Sequence, residues 1–328
     1  MITTESSAVD VLYFGKLPSR GDFVRSSQHP AMLEVLDRWQ AQTLERLSAD
    51  PRWKLIYDEA PALAFAILGS GSHVALAGHW LASQDTSGRR FPFVTAGAFD
   101  LRRPQQSAVL APIALDALWH QLATRGQLAR QAADLADVQA RLQAPIEHAP
   151  DFDEARDRLE AFLDAHNLAS LGQILSAGGR RLSVRQAVLA LGLLLRPALV
   201  QGGTRMNKLL CLPLPVEPSL RACVASWWLM LVMGFFTRHV VEFAIFLPVR
   251  EGLPQMLLGF QGASAASLEA VIDPAVLARH GVTLNELDWV EDEAQADVGL
   301  RKLSTYLQDP ALSLTQAVRT FQEVFQGA

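Results

Sequence analysis

Little in this sequence offers ready-made chemistry. Cysteine is nearly absent: Cys211 and Cys223 are the only two in 328 residues. They stand twelve positions apart with no histidine near them. A metal site needs more ligands at tighter spacing, so two buried, reduced thiols are expected. Basic charge is not in excess either. The formal net charge of -5 and a pI near 5.9 argue against a nucleic-acid binder, which carries a basic face. The pairs Arg89-Arg90, Arg102-Arg103 and Arg180-Arg181 are balanced by acids elsewhere. Met1–Ser7 holds neither a basic nor an apolar region, so no secretory signal is expected. One uncharged stretch reads as a single apolar helix, and it is short of the roughly 20 residues of a membrane-spanning one. It runs from Ala222 to Thr237, is closed by Arg221 and Arg238 and predicts a helix buried on most sides.

Familiar catalytic motifs are missing too. Gly15-Lys16 lacks the upstream glycine and the following Ser or Thr of a phosphate loop. There is no His-Glu-x-x-His and no Gly-x-Ser-x-Gly. Arg20-Gly21-Asp22 is a coincidence of three residues, and Gly202-Gly203-Thr204 reads as a turn before a strand. His73 and His79 share a strand parity, yet no acid or thiol lies between them, so surface or edge positions are expected for both. No metal and no cofactor is implied.

What is present is a large apolar content: half the residues are hydrophobic and 19% are charged, enough for a sizeable core. Strands are predicted over Val9–Phe14, Ala62–Leu68, Val74–Ala82, Pro92–Phe99, Lys208–Leu214, Val240–Leu247 and Gln255–Phe260. Gly69–Ser72 reads as a hairpin turn, and connections this short make antiparallel neighbours. Helical spacing marks Pro30–Leu47, most of Ser107–Arg196 with breaks at Pro145, Pro150 and Gly178-Gly179, Pro218–Phe236, Ala265–His280, and Ala294–Phe325 with a break at Asp309-Pro310. The expected architecture is α/β, a mixed, partly antiparallel sheet interrupted by a helical insertion. It divides into an N-terminal α/β part (1–105), the insertion (106–206) and a C-terminal part that completes the sheet and adds a helical tail (207–328).

Two polar loops, each abutting a predicted strand, are the candidate sites. The first spans residues 15–23 and contains Lys16, Arg20, Asp22 and Phe23. The second spans 83–92 and contains Ser83, Asp85, Arg89, Arg90 and Phe91. Two readings stand side by side. Ion pairs and backbone hydrogen bonds to the aspartates could stitch the loops together. Alternatively the loops present a recognition surface with Phe23 or Phe91 as aromatic anchor. An enzyme or small-molecule sensor with its site between the loops is the third possibility, with the two aspartates as paired carboxylates.

The same loops carry a family resemblance. Phe14 to Val24 reads Phe-Gly-Lys-Leu-Pro-Ser-Arg-Gly-Asp-Phe-Val, and it resembles the N-terminal signature of the TagF (ImpM) proteins associated with bacterial type VI secretion. Ser83, Asp85, Gly88, Arg89, Phe91 and Pro92 match a second family segment, with Ala82 in place of its proline. Trp39 and the Trp227-Trp228 pair are similar to further family elements. The resemblance implies a layered α/β sandwich. It also implies a cytoplasmic, non-catalytic accessory protein that regulates type VI secretion after translation, usually as a repressor, through the forkhead-associated protein of the apparatus. The helical block from about 107 to 200 is longer than the family core.

Overall fold

Apolar runs that cannot alternate with water must be covered on both faces, and the strands of this protein are. A computed structural model describes residues 9–134, 136–201 and 206–327. Met1–Ser7 and the Gly202-Gly203-Thr204 turn lie outside the described residues. The strands are β1 (Asp10–Gly15), β2 (Val24–Arg25), β3 (Leu63–Gly69), β4 (Val74–Leu81), β5 (Phe93–Asp100), β6 (Leu209–Pro213), β7 (Glu242–Leu247), β8 (Val249–Arg250), β9 (Leu253–Gly259) and β10 (Gly281–Thr283). They form one sheet in the order β10-β6-β9-β7-β3-β4-β5-β1-β2, with β8 paired to β9. Only β10–β6 is parallel among the described pairs; the rest are antiparallel. The mixed, partly antiparallel sheet is therefore present as expected.

Alternation along β3 shows how the layers are filled. Leu63 and Phe65 join one core, while Ala66 and Leu68 join the other. The first face is covered by α1 (Pro30–Leu47) and α2 (Trp53–Asp58), together with two helices from the far end of the chain. The opposite face carries the helical insertion, α3 (Pro104–Ala114), α4 (Asp116–Gln131), α5 (Ala136–Gln143), α6 (Phe152–Ala165), α7 (Leu168–Ser176), α8 (Val184–Leu195) and the short α9 (Ala198–Gln201). Behind them runs α10 (Pro218–Met233), whose Trp227 and Trp228 are completely buried. Helices α3, α6, α8 and the last helix pack around α10. This accounts for an apolar helix that, with the turn to Phe236, is long enough by composition to cross a membrane.

The predicted helix over Ala265–His280 is two, α11 (Ala265–Ile272) and α12 (Pro274–His280). Pro274 cannot donate to the preceding turn, and Asp273 caps the second helix through the backbone N–H groups of Ala275 and Val276. These two helices complete the α1 face. The tail divides into α13 (Trp289–Ala296), α14 (Val298–Tyr306) and α15 (Leu314–Phe325), on the insertion side. The hairpin between β8 and β9 turns through Glu251-Gly252, both at positive φ, which is the backbone of a tight two-residue turn.

One expectation is overturned in the sheet. His79 is not at a surface or edge. It sits on the inner strand β4, 7% exposed, and burial, helped by the charge of Arg130, lowers its imidazole to about 4. Both cysteines are buried free thiols, and burial pushes Cys211 up to about 11.

Candidate functional site

The first loop leaves β1 at Gly15, and its position explains the glycine. Gly15 has φ +139, and a Cβ there would run into the Pro92 carbonyl of the second loop. No other residue lets the two chains approach so closely. Lys16 follows, 7% exposed, and its ammonium donates to Asp85 Oδ2 at 2.9 Å. The Phe23 ring lies 5.1 Å from the same ammonium.

Asp85 organises the second loop. Its Oδ1 accepts from the Ser87 N–H, the Ser87 hydroxyl and the Arg89 N–H, and its Oδ2 accepts from Lys16 and from Arg89 Nε at 2.6 Å. Burial alone would raise this carboxyl. The bonds from Lys16, Ser87 and Arg89 outweigh it and hold the group well below the usual carboxylate range. Gly88, at φ +77, closes the turn with its N–H on the Asp85 carbonyl. Arg89 then reaches across to the first loop, donating from Nη2 to the Gly21 carbonyl at 2.7 Å, and the Thr86 N–H donates to the Arg20 carbonyl. The two loops therefore meet, and the space between them is occupied by the protein's own ion pairs.

The remaining candidates divide by exposure. Ser83 is buried and exchanges backbone hydrogen bonds with the Tyr57 hydroxyl. Arg90 makes a two-pronged contact with Asp58, at 2.8 and 2.6 Å. Arg20 pairs with Asp134 at 2.9 Å on the surface rather than with Asp22 or Asp85. Phe91 is buried, 8% exposed, and so is not available as an anchor. Phe23 is 47% exposed, stacked on Phe14 at 5.4 Å and set edge-on against Phe91 at 4.8 Å. Asp22 beside it is exposed and has no ion pair among the described residues.

The result is a tip of two solvent-facing side chains, Asp22 and Phe23, on a frame of buried charge and aromatic stacking. Tyr57, Asp58 and Asp134 belong to that frame and carry no signal in the sequence. Tyr57 and Asp58 lie on α2, a helix too short for a periodic pattern. Asp134 lies in the turn between α4 and α5.

Comparisons with known proteins bear on the same region. Residues 13–145 match the model of the TagF N-terminal domain, type VI secretion system-associated. The match takes in both loops and extends through α5. Among solved structures, the crystal structure of PA0076 from Pseudomonas aeruginosa PAO1 is similar at 26% identity. That alignment covers 43% of this chain and 65% of the other, less than two thirds of its length, with a TM-score of 0.36. No curated protein matches the chain.

Proposed function

Because residues 13–145 match the type VI secretion-associated TagF N-terminal domain, we propose that the chain is a cytoplasmic, non-catalytic accessory protein. It represses secretion after translation by binding the forkhead-associated protein of the apparatus. The observation that carries this reading is the Asp22–Phe23 tip. A half-exposed aromatic ring held by stacking and by a buried ammonium loses little entropy on docking, which is what an interface anchor requires. A carboxylate beside it gives charge selectivity at the rim. The alternative of turnover between the loops is less well supported. Asp85 is saturated with donors and held ionised, so it is a poor acid or base.

The test uses the purified chain and the forkhead-associated protein encoded with the same secretion system. Phe23→Ala and Asp22→Arg are expected to keep the melting temperature and to weaken the complex by roughly tenfold or more. In cells the same variants are expected to release secretion of a reporter effector. Unchanged affinity in both folded variants would rule out the tip as the binding surface. No complex with the wild-type chain would rule out this partner.

A further inference from the structure

A second place in the molecule has the marks of a binding site, remote from the loops. Helices α4 and α10 lie on the same face of the sheet and flank a half-open cavity of about 290 Å³ beside β3 and β4. Its size comes from small side chains. Ala62 and Ala64 line it from the sheet side, Ala123 from α4, and Ala222 and Ala225 from α10. Trp119 forms part of the wall and is fixed by its indole N–H on the Phe65 carbonyl at 2.8 Å.

The cavity is not merely apolar. His79 is the cross-strand neighbour of Ala64 and stands on the same face of β4. It is 7% exposed, and its Nδ1 is buried with no hydrogen-bond partner among the described residues. Nδ1 is itself closed to solvent, so a ligand meets the imidazole through the part of the ring that remains open to the cavity. Arg221 also lines the cavity. Its Nε and Nη2 donate to the carbonyls of Pro215 and Val216, which leaves Nη1 for a ligand. Arg130, on α4, places further positive charge within reach of His79. Asp116 also lines the cavity, with its carboxylate 3.7 Å from His120. Arg221 and Asp116 are the two charged groups on the walls, and Arg221 with its open Nη1 is the one that can take an anion.

We propose that this cavity binds a small amphipathic monocarboxylate. Its carboxylate sits on Arg221, its apolar body lies against Trp119 and the alanines, and a hydrogen-bonding group reaches the His79 imidazole. A space of this size takes a ligand of about a dozen non-hydrogen atoms, at the small end of ligand pockets. The site is independent of the Asp22–Phe23 tip and stands whether or not that tip binds a partner.

The probe is para-hydroxyphenylpropionate, with its neutral amide as control, titrated into the full chain by calorimetry and by NMR of the histidine imidazoles. Millimolar or tighter binding of the carboxylate is expected, with movement of the His79 signals and weaker binding of the amide. Ala222→Leu fills the space and is expected to weaken binding by about tenfold or more without lowering the melting temperature; His79→Leu is expected to weaken it by about tenfold through the lost bond. No binding to the folded wild type, or equal binding to wild type and Ala222→Leu, overturns the site. Equal affinity for the amide overturns the role of Arg221. Should Ala222→Leu fail to fold, Ala123→Leu takes its place, and the wild-type His79 signals decide: if they do not move, the proposal fails.

Discussion

Asp85 accepts hydrogen bonds on both oxygens, and its removal strands the Lys16 ammonium beneath the Phe23 ring. The consequences of the two obvious substitutions differ. Lys16→Met replaces the buried cation with an apolar chain of similar reach, and Asp85 keeps Arg89 and Ser87. Asp85→Ala leaves a buried ammonium with no counter-charge and frees the Arg89 side chain that ties the loops. Breaking a buried pair from one side is the more damaging change. Thermal melts are expected to show a loss of roughly ten degrees for Asp85→Ala and a smaller one for Lys16→Met. The reverse order would mean that the pair is not what holds the loops. His79 sets a different dependence. Its folded value is about 4, whereas the unfolded chain takes the proton near 6.5. Between those values the unfolded state binds more protons, so stability is fully present above pH 6.5 and is lost as the pH falls toward 4. The loss amounts to about 3 kcal/mol over that window. Denaturant titrations from pH 7 to pH 4 are expected to show the slope in the wild type and a flatter one in His79→Gln. Parallel slopes would remove His79 as its source.

At the scale of elements, the parts legible in the sequence are those whose signal is local. The strands β1, β3, β4 and β5 are continuous apolar runs, and α1 begins at Pro30 with regular apolar spacing, so each is found where the pattern places it. The missed elements are short and owe their form to a neighbour. β2 is two residues held against Phe14 and Gly15, and β10 is three residues laid parallel to Leu209–Cys211. Helix α2 exists to bring Tyr57 under the second loop, where its hydroxyl meets Ser83. The same division runs through the candidate site. Composition and loop position marked Lys16, Asp85 and Arg89, but not which of the nearby carboxylates each arginine chooses. Arg20 goes to Asp134 and Arg90 to Asp58, partners 114 and 32 residues away. Parity on one strand could not tell that His79 would be covered, because the cover comes from α4 and α10, beyond the strand's own residues.

For the whole molecule, the decisive fact is that the sheet is continuous across the helical insertion. The first five strands end at Asp100, yet β3 has the later strand β7 as its neighbour, in register from Ala64↔Leu247 to Gly69↔Glu242. The core above that junction mixes Leu68 and Phe99 from the first part with Trp227, Ile245 and Leu258 from the last. The family-matched segment, residues 13–145, holds only one side of this arrangement. Cut free, it would present the whole length of β3 as an unpaired apolar edge and would lose the α10 side of its core. A piece ending at residue 206 would do the same, since β6 and everything after it is missing. The full chain is therefore expected to unfold in a single transition by calorimetry. A fragment of residues 1–206 is expected to aggregate, or to keep far-ultraviolet ellipticity while losing the near-ultraviolet signal of fixed aromatic packing. A sharp, independent melt in that fragment would show instead that the N-terminal part closes its own core. In that event the cavity, walled by β3, β4 and α4 on one side and by α10 on the other, would lie between two folding units.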